Sequence, residues 1–158
     1  MFIQIGDFEI YEYDKNNPDQ RHLKYVLNNN DDFLKYVTKK IEERLKEGKI
    51  LPGGGLSIDG SYLVKYKGEF VGYIRLENLR WNGTLDIEWA VSPEFQNQKL
   101  GTKIVRTLSE YIFKNYQQVL KIRGIIDKSN YRSKALAKSV GFEEEKKDEN
   151  YIYVTKSR

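Results

Sequence analysis

Cysteine is missing from this 158-residue chain, and histidine occurs once, at His22. Without thiols there is no disulfide scaffold, no thiolate zinc site and no cysteine nucleophile. His22 falls in an early helical stretch, where a packed or exposed structural role is the plain account. With so little histidine, and carboxylates at no ligand spacing, no metal is implied. No apolar run approaches the length that crosses a bilayer, so no membrane segment is expected. The first residues lack the basic start and apolar stretch of a secretory signal; they alternate apolar with polar and carry Asp7, Glu9, Glu12 and Asp14. A soluble cytoplasmic protein is the expectation.

Long runs of one charge sign are also missing. The formal net charge is +4 and the isoelectric point is near 9.0, a balance that raises nucleic acid as a partner. The distribution argues otherwise: Lys39 and Lys40 are followed by Glu42 and Glu43, and Lys146 and Lys147 stand between acidic neighbours. Such mixtures mark solvated faces. No stripe of basic residues interleaved with exposed aromatics stands out, so nucleic acid is not expected as a partner. The mild positive excess still suits a polyanionic ligand.

What is present is enough apolar material to fold: hydrophobic residues make up 39% of the chain, which excludes intrinsic disorder. Residues 8–13 alternate as a strand. Leu23, Val26 and Leu27 mark a short helix, and Phe33, Leu34, Val37, Ile41 and Leu45 share one face of a second. A glycine-rich turn follows at residues 52–55. Two strands flank Lys67-Gly68, and Asn82-Gly83 turns the chain into a third, Thr84–Val91. Along it Leu85, Ile87, Trp89 and Val91 share one face, and Asp86, Glu88 and Ala90 the other.

From Leu100 the period becomes helical, with Leu100, Ile104, Val105, Leu108, Tyr111 and Ile112 in one stripe. Residues 119–126 read as a strand, residues 130–140 as a helix closed by Gly141, and the tail as two strands around a charged turn. The expected fold is α/β, a mixed sheet in the order β-α-α-β-β-β-α-β-α-β-β.

The stretch from Trp89 to Val105, WAVSPEFQNQKLGTKIV, ends a strand, loops and opens a helix at a glycine. A helix start leaves four N–H groups without intrahelical partners. With the positive end of the dipole they suit phosphate oxygens, and Gly101 lets a ligand approach the backbone. Gln96, Asn97, Gln98, Lys99, Leu100, Gly101 and Thr102 resemble the pyrophosphate loop of the GNAT N-acetyltransferase family, written Q/R-x-x-G-x-G/A. Gln96 takes its first position and Gly101 its last, while Lys99 stands where the first glycine is expected. Either that backbone position tolerates a side chain or phosphate binding is altered. The preceding Ala90-Val91-Ser92-Pro93 matches the family's strand ending, and Asn130, Ser133, Leu136 and Gly141-Phe142 resemble its N-x-x-S/A…L-Y-x-x-x-GF segment.

The resemblance implies one N-acetyltransferase domain over residues 1–158, with two splayed parallel strands forming an acetyl-CoA cleft. Backbone groups of Trp89 and Val91 would pair with the pantetheine amides, residues 96–102 would hold the diphosphate, and Asn130 and Ser133 would lie near the pantetheine. Asn130 is equally placed to cap its helix. The amine acceptor, a small molecule or a protein amine, needs a base; Glu88, on the polar face of the key strand, is the candidate, with Asp86 behind it. Its alternative is a strand glutamate in a salt bridge. The family's tyrosine position is Ala137 here, leaving Tyr131 as the nearest candidate acid. Lys99 and Ala137 keep open a catalytically impaired acetyl-CoA-binding regulatory module, and the family's habits leave open a homodimer.

Overall fold

The computed structural model describes residues 2–12, 39, 60–92, 95–96 and 99–158. His22, the turn at residues 52–55, Pro93, Asn97 and Gln98 lie outside the described residues, as do the apolar stripes of the two early helices.

Eight described strands form one sheet: β1 (Phe2–Ile5), β2 (Phe8–Glu12), β3 (Gly60–Tyr66), β4 (Glu69–Glu77), β5 (Thr84–Val91), β6 (Lys121–Asp127), β7 (Glu143–Lys147) and β8 (Tyr151–Ser157). Their spatial order is β1-β2-β3-β4-β5-β6-β8-β7. Helix α1 (Leu100–Asn115) joins β5 to β6, and α2 (Tyr131–Val140) follows β6. The sheet is mixed, because β5 and β6 run parallel while the other described neighbours are antiparallel.

Two boundaries differ from the sequence reading. An additional strand, β1, precedes the expected first one and pairs with it through Ile3↔Ile10 and Ile5↔Phe8. The turn between them uses Gly6 at φ 58, a left-handed conformation that costs glycine little. Strand β6 begins at Lys121, because the N–H groups of Leu120 and Lys121 both turn to the carbonyl of Gly83.

One sheet face packs on α1. The strand registers put Ile10, Tyr62, Val64, Ile74, Leu76, Leu85, Ile87 and Ile122 on it, all buried. Helix α1 contributes Leu100, Ile104, Val105, Leu108 and Ile112, the stripe its period predicts, at about 1.5–3 kcal/mol per fully buried side chain. Helix α2 is capped at both ends: the Asn130 side chain accepts from Ser133 N–H, and Gly141 at φ 103 closes the C-terminus. Strand β7, EEEKK, lies at the sheet edge with every residue exposed. At the β4–β5 turn Trp81 is fully exposed.

The feature that shapes the site is where β5 and β6 stop pairing. Their parallel register runs from Thr84↔Lys121 to Ile87↔Gly124 and ends there, although β6 continues along β8 as far as Asp127↔Tyr151. The next core-facing residue on β5 is Trp89. Its ring lies over Gly124, where an added Cβ would sit 3.2 Å from the indole, and packs against Phe142 at a centroid distance of 5.9 Å. A large ring in the gap, backed by glycine, parts the strands.

Below the gap, on the opposite face, Asp86 clamps them together. Arg80 donates to both its oxygens at 3.1 and 2.8 Å, and Arg123, its register partner on β6, does so at 2.9 and 3.2 Å. This commits Asp86 to a structural ion network. Asp86→Asn should lower unfolding stability by about 2 kcal/mol, because two guanidinium forks lose a buried charge partner that their partial exposure only partly replaces. Urea denaturation should then show a lower midpoint at unchanged slope.

Candidate active site

Past the last β5–β6 pair, a cleft of about 550 Å³ opens between the final residues of β5 and the N-terminal turns of α1 and α2. Trp89, Ala90 and Val91 form one wall, Gln96, Lys99, Gly101 and Thr102 another, and Asn130, Arg132, Ser133 and Leu136 the third. Most of the residues singled out by two separate motifs therefore face one space. Leu100 does not: its side chain is 5% exposed in the core, so only its backbone is available there. Tyr131 does not either; it is 75% exposed, outside the cleft lining, with the Lys134 ammonium over its ring. Glu88 is half-buried on the opposite sheet face, beside Arg75 in register.

Lys99 resolves the departure from the glycine pattern. It precedes α1 at φ 57 and ψ 18, the left-handed region. That is the conformation for which glycine is the ordinary choice. Position 99 thus keeps a glycine-like backbone while its lysine side chain lines the cleft. Gly101 has a further cause: a Cβ there would sit 2.6 Å from Leu136 Cδ1 and 3.0 Å from Val91 Cγ2. Its bareness lets α1, α2 and β5 meet as well as leaving the helix start open.

The electrostatics point one way. Lys99 and Arg132 are the charged residues among the described residues lining the cleft, and no described carboxylate joins them. Lys99 offers α1 no side-chain cap, and neither helix has an acidic residue in its first turn. Cations at helix starts oppose the dipole. Two of them at two helix starts, facing one space, fit an anionic ligand.

Arg132 was not singled out by the motifs. A signal was there, since an arginine in the first turn of a helix is electrostatically misplaced. Its Nη1 donates to Gln96 Oε1, and Gln96 Nε2 donates to the Val91 carbonyl at 3.1 Å. Just before α2, Asp127 accepts from the hydroxyl and N–H of Ser129, which holds its carboxyl below the usual range and fixes the turn leading to Asn130. Asn130 spends its carbonyl oxygen on the Ser133 N–H, so its amide NH₂ remains as a donor. The indole N–H of Trp89 has no hydrogen-bond partner among the described residues.

Among the described residues no cluster of three or more His, Cys, Asp or Glu suits a metal ion, and no helix is long and apolar enough to cross a membrane.

The family model for the acetyltransferase (GNAT) domain matches residues 3–143. The chain belongs to the GNAT acetyltransferase family. Among solved structures, a GNAT-family acetyltransferase from Bacillus anthracis shares the fold with a TM-score of 0.71 at 16% identity, over 99% of this chain and 98% of that one. The Campylobacter jejuni N-acetyltransferase PseH in complex with acetyl coenzyme A has a TM-score of 0.67 at 14% identity, over 96% and 99% of the two chains. The aminoglycoside acetyltransferase AAC(6')-Ib in complex with coenzyme A has a TM-score of 0.55 at 24% identity, over 63% and 66%. No curated protein matches the sequence significantly.

The left-handed lysine makes a prediction about stability. Lys99→Gly should raise the thermal midpoint by about 2–4 °C, corresponding to about 1 kcal/mol of relieved backbone strain. A lower midpoint in a thermal melt would mean that the lysine stem stabilises the loop more than its backbone conformation costs.

Proposed function

We propose that this protein is an acetyl-CoA-dependent N-acetyltransferase acting by direct attack in a ternary complex. The observation that carries the reading is the cleft at the parted end of β5, where both charges among the described lining residues are cationic. The edge of β5 turned toward β6 has no register partner there beyond Ile87. Backbone groups at Trp89 and Val91 would pair with the pantetheine amides as a strand would. The diphosphate would lie on residues 96–102, held by backbone N–H groups at the start of α1 and by Lys99. The Asn130 amide and the Ser133 hydroxyl, both lining the cleft, suit the pantetheine arm.

The acceptor amine would reach the thioester from the opposite face, through the gap between β5 and β6. Its nitrogen attacks the thioester carbonyl carbon, the C–S bond breaks, and CoA leaves as thiolate. An alkylammonium is protonated at neutral pH, so a proton must leave nitrogen before attack. Glu88, on the face from which the amine would come, is the group we assign to accept it, directly or through water. A backbone N–H near the end of β5 would stabilise the tetrahedral oxyanion. Tyr131, outside the cleft, receives no role in this scheme; the thiolate is a stable leaving group and takes its proton from solvent.

A second reading, a module that binds acetyl-CoA without turnover, is favoured by Ala137. Ala137 is 1% exposed in the core, at the position where the family motif it resembles has tyrosine.

Calorimetric titration with acetyl-CoA, then free-thiol release over a panel of amines, tests both. Binding with thiol release for one amine class supports the transferase; binding without release across the panel favours the module; absence of binding overturns both. Glu88→Gln should lower turnover by about 100-fold and leave cofactor affinity unchanged. A full-rate variant would assign the proton to another acceptor.

A further inference from the structure

The link between Gln96 and Arg132 bridges two walls of the cleft. One neutral amide accepts from the α2 guanidinium and donates to the Val91 carbonyl, tying a helix start to the end of β5. A guanidinium carries five N–H donors in a planar fork that matches phosphate oxygens bidentately. Here one of them is spent on an uncharged acceptor, and among the described residues no carboxylate lines the cleft to compete for the rest. Arg132 faces the space from α2, while Lys99 and the start of α1 face it from another wall.

We infer that Arg132 is a diphosphate-binding residue of this cleft, and that its bond to Gln96 is the contact it gives up when the acyl donor enters. The inference rests on the cleft being the cofactor site. Exchange of a neutral acceptor for an anionic one is favourable, because phosphate oxygens add ion pairing and can be met bidentately by the guanidinium fork. The two cations grip differently: Lys99 is a point charge on a flexible stem, while Arg132 is a fork on a capped helix. Together they let diphosphate, rather than the pantetheine arm alone, decide which thioesters are held. The same exchange frees the Gln96 amide, whose loop is the one on which the phosphates would lie.

Arg132 is exposed, so its replacement leaves the core intact. The test is calorimetric titration of the full chain and of Arg132→Gln with CoA and with dephospho-CoA, each at low and high salt. Arg132→Gln should weaken both ligands alike, by about 10- to 100-fold at low salt, with the gap narrowing as salt screens the contact. Arg132→Lys should fall between. Equal CoA affinity in wild type and Arg132→Gln would overturn the inference. So would a loss of the same size at both salt levels, which marks a structural role, or a loss confined to CoA, which marks a contact with its 3′-phosphate. A wild-type chain that binds no CoA at either salt would instead overturn the cofactor reading, and this one with it.

Discussion

Everything at the candidate site depends on two parallel strands being held together at one end and kept apart at the other. Asp86, gripped by Arg80 and Arg123, joins β5 to β6 near the turn, and the last register pair is Ile87↔Gly124. Two residues further, core-facing Trp89 needs room that only a glycine on β6 allows. The ring is backed by Phe142, which the Gly141 cap delivers from the end of α2. The wedge is thus a tertiary assembly: its ring comes from β5, its clearance from β6 and its support from the residue after a helix. Gly101 plays the same part on the neighbouring wall, giving Leu136 and Val91 space to meet α1.

The two faces of the sheet divide the charge. The face that packs on α1 is apolar until it reaches the cleft, where the described charges are cationic. The opposite face carries acid and base together: Arg75, buried, donates to Ser61 at 3.1 Å and to Glu77 at 3.3 Å, and Asp86 binds its two arginines. An anionic ligand meets unneutralised cations on one side and closed ion networks on the other. That asymmetry sets a cationic cleft apart from a face of mixed charges, on which Glu88 lies beside Arg75.

Much of this was legible in the chain because it rests on local pattern. The alternation of Thr84–Val91, the α1 stripe from Leu100 and the pairing of Asn130 with Gly141 as caps each reflect one element's own geometry. What escaped reading needed two elements at once. The first strand was hidden because alternation runs through the Gly6-Asp7 turn, so one run concealed two strands. Val119 and Leu120 look like a strand start, but their loop is drawn to Gly83, a contact that no local period encodes. Leu100 sits inside the phosphate-loop motif yet belongs to the core, since the helical period and the motif both claim it. Arg132 carried a weak local clue, a cation at a helix start, whose meaning emerged only when Lys99 was found across the same cleft.

The two tryptophans of the chain lie in different surroundings. Trp81 stands fully in water at a turn beyond the clamped end of β5, while Trp89 lies half-buried in the wedge and lines the cleft. The protein therefore carries a built-in optical pair. Trp81 emits as a solvated indole and is indifferent to what fills the cleft, whereas the emission of Trp89 responds to a neighbour arriving beside it or to its strands closing. Intrinsic fluorescence, separated by wavelength, can thus follow occupancy of this site without a label.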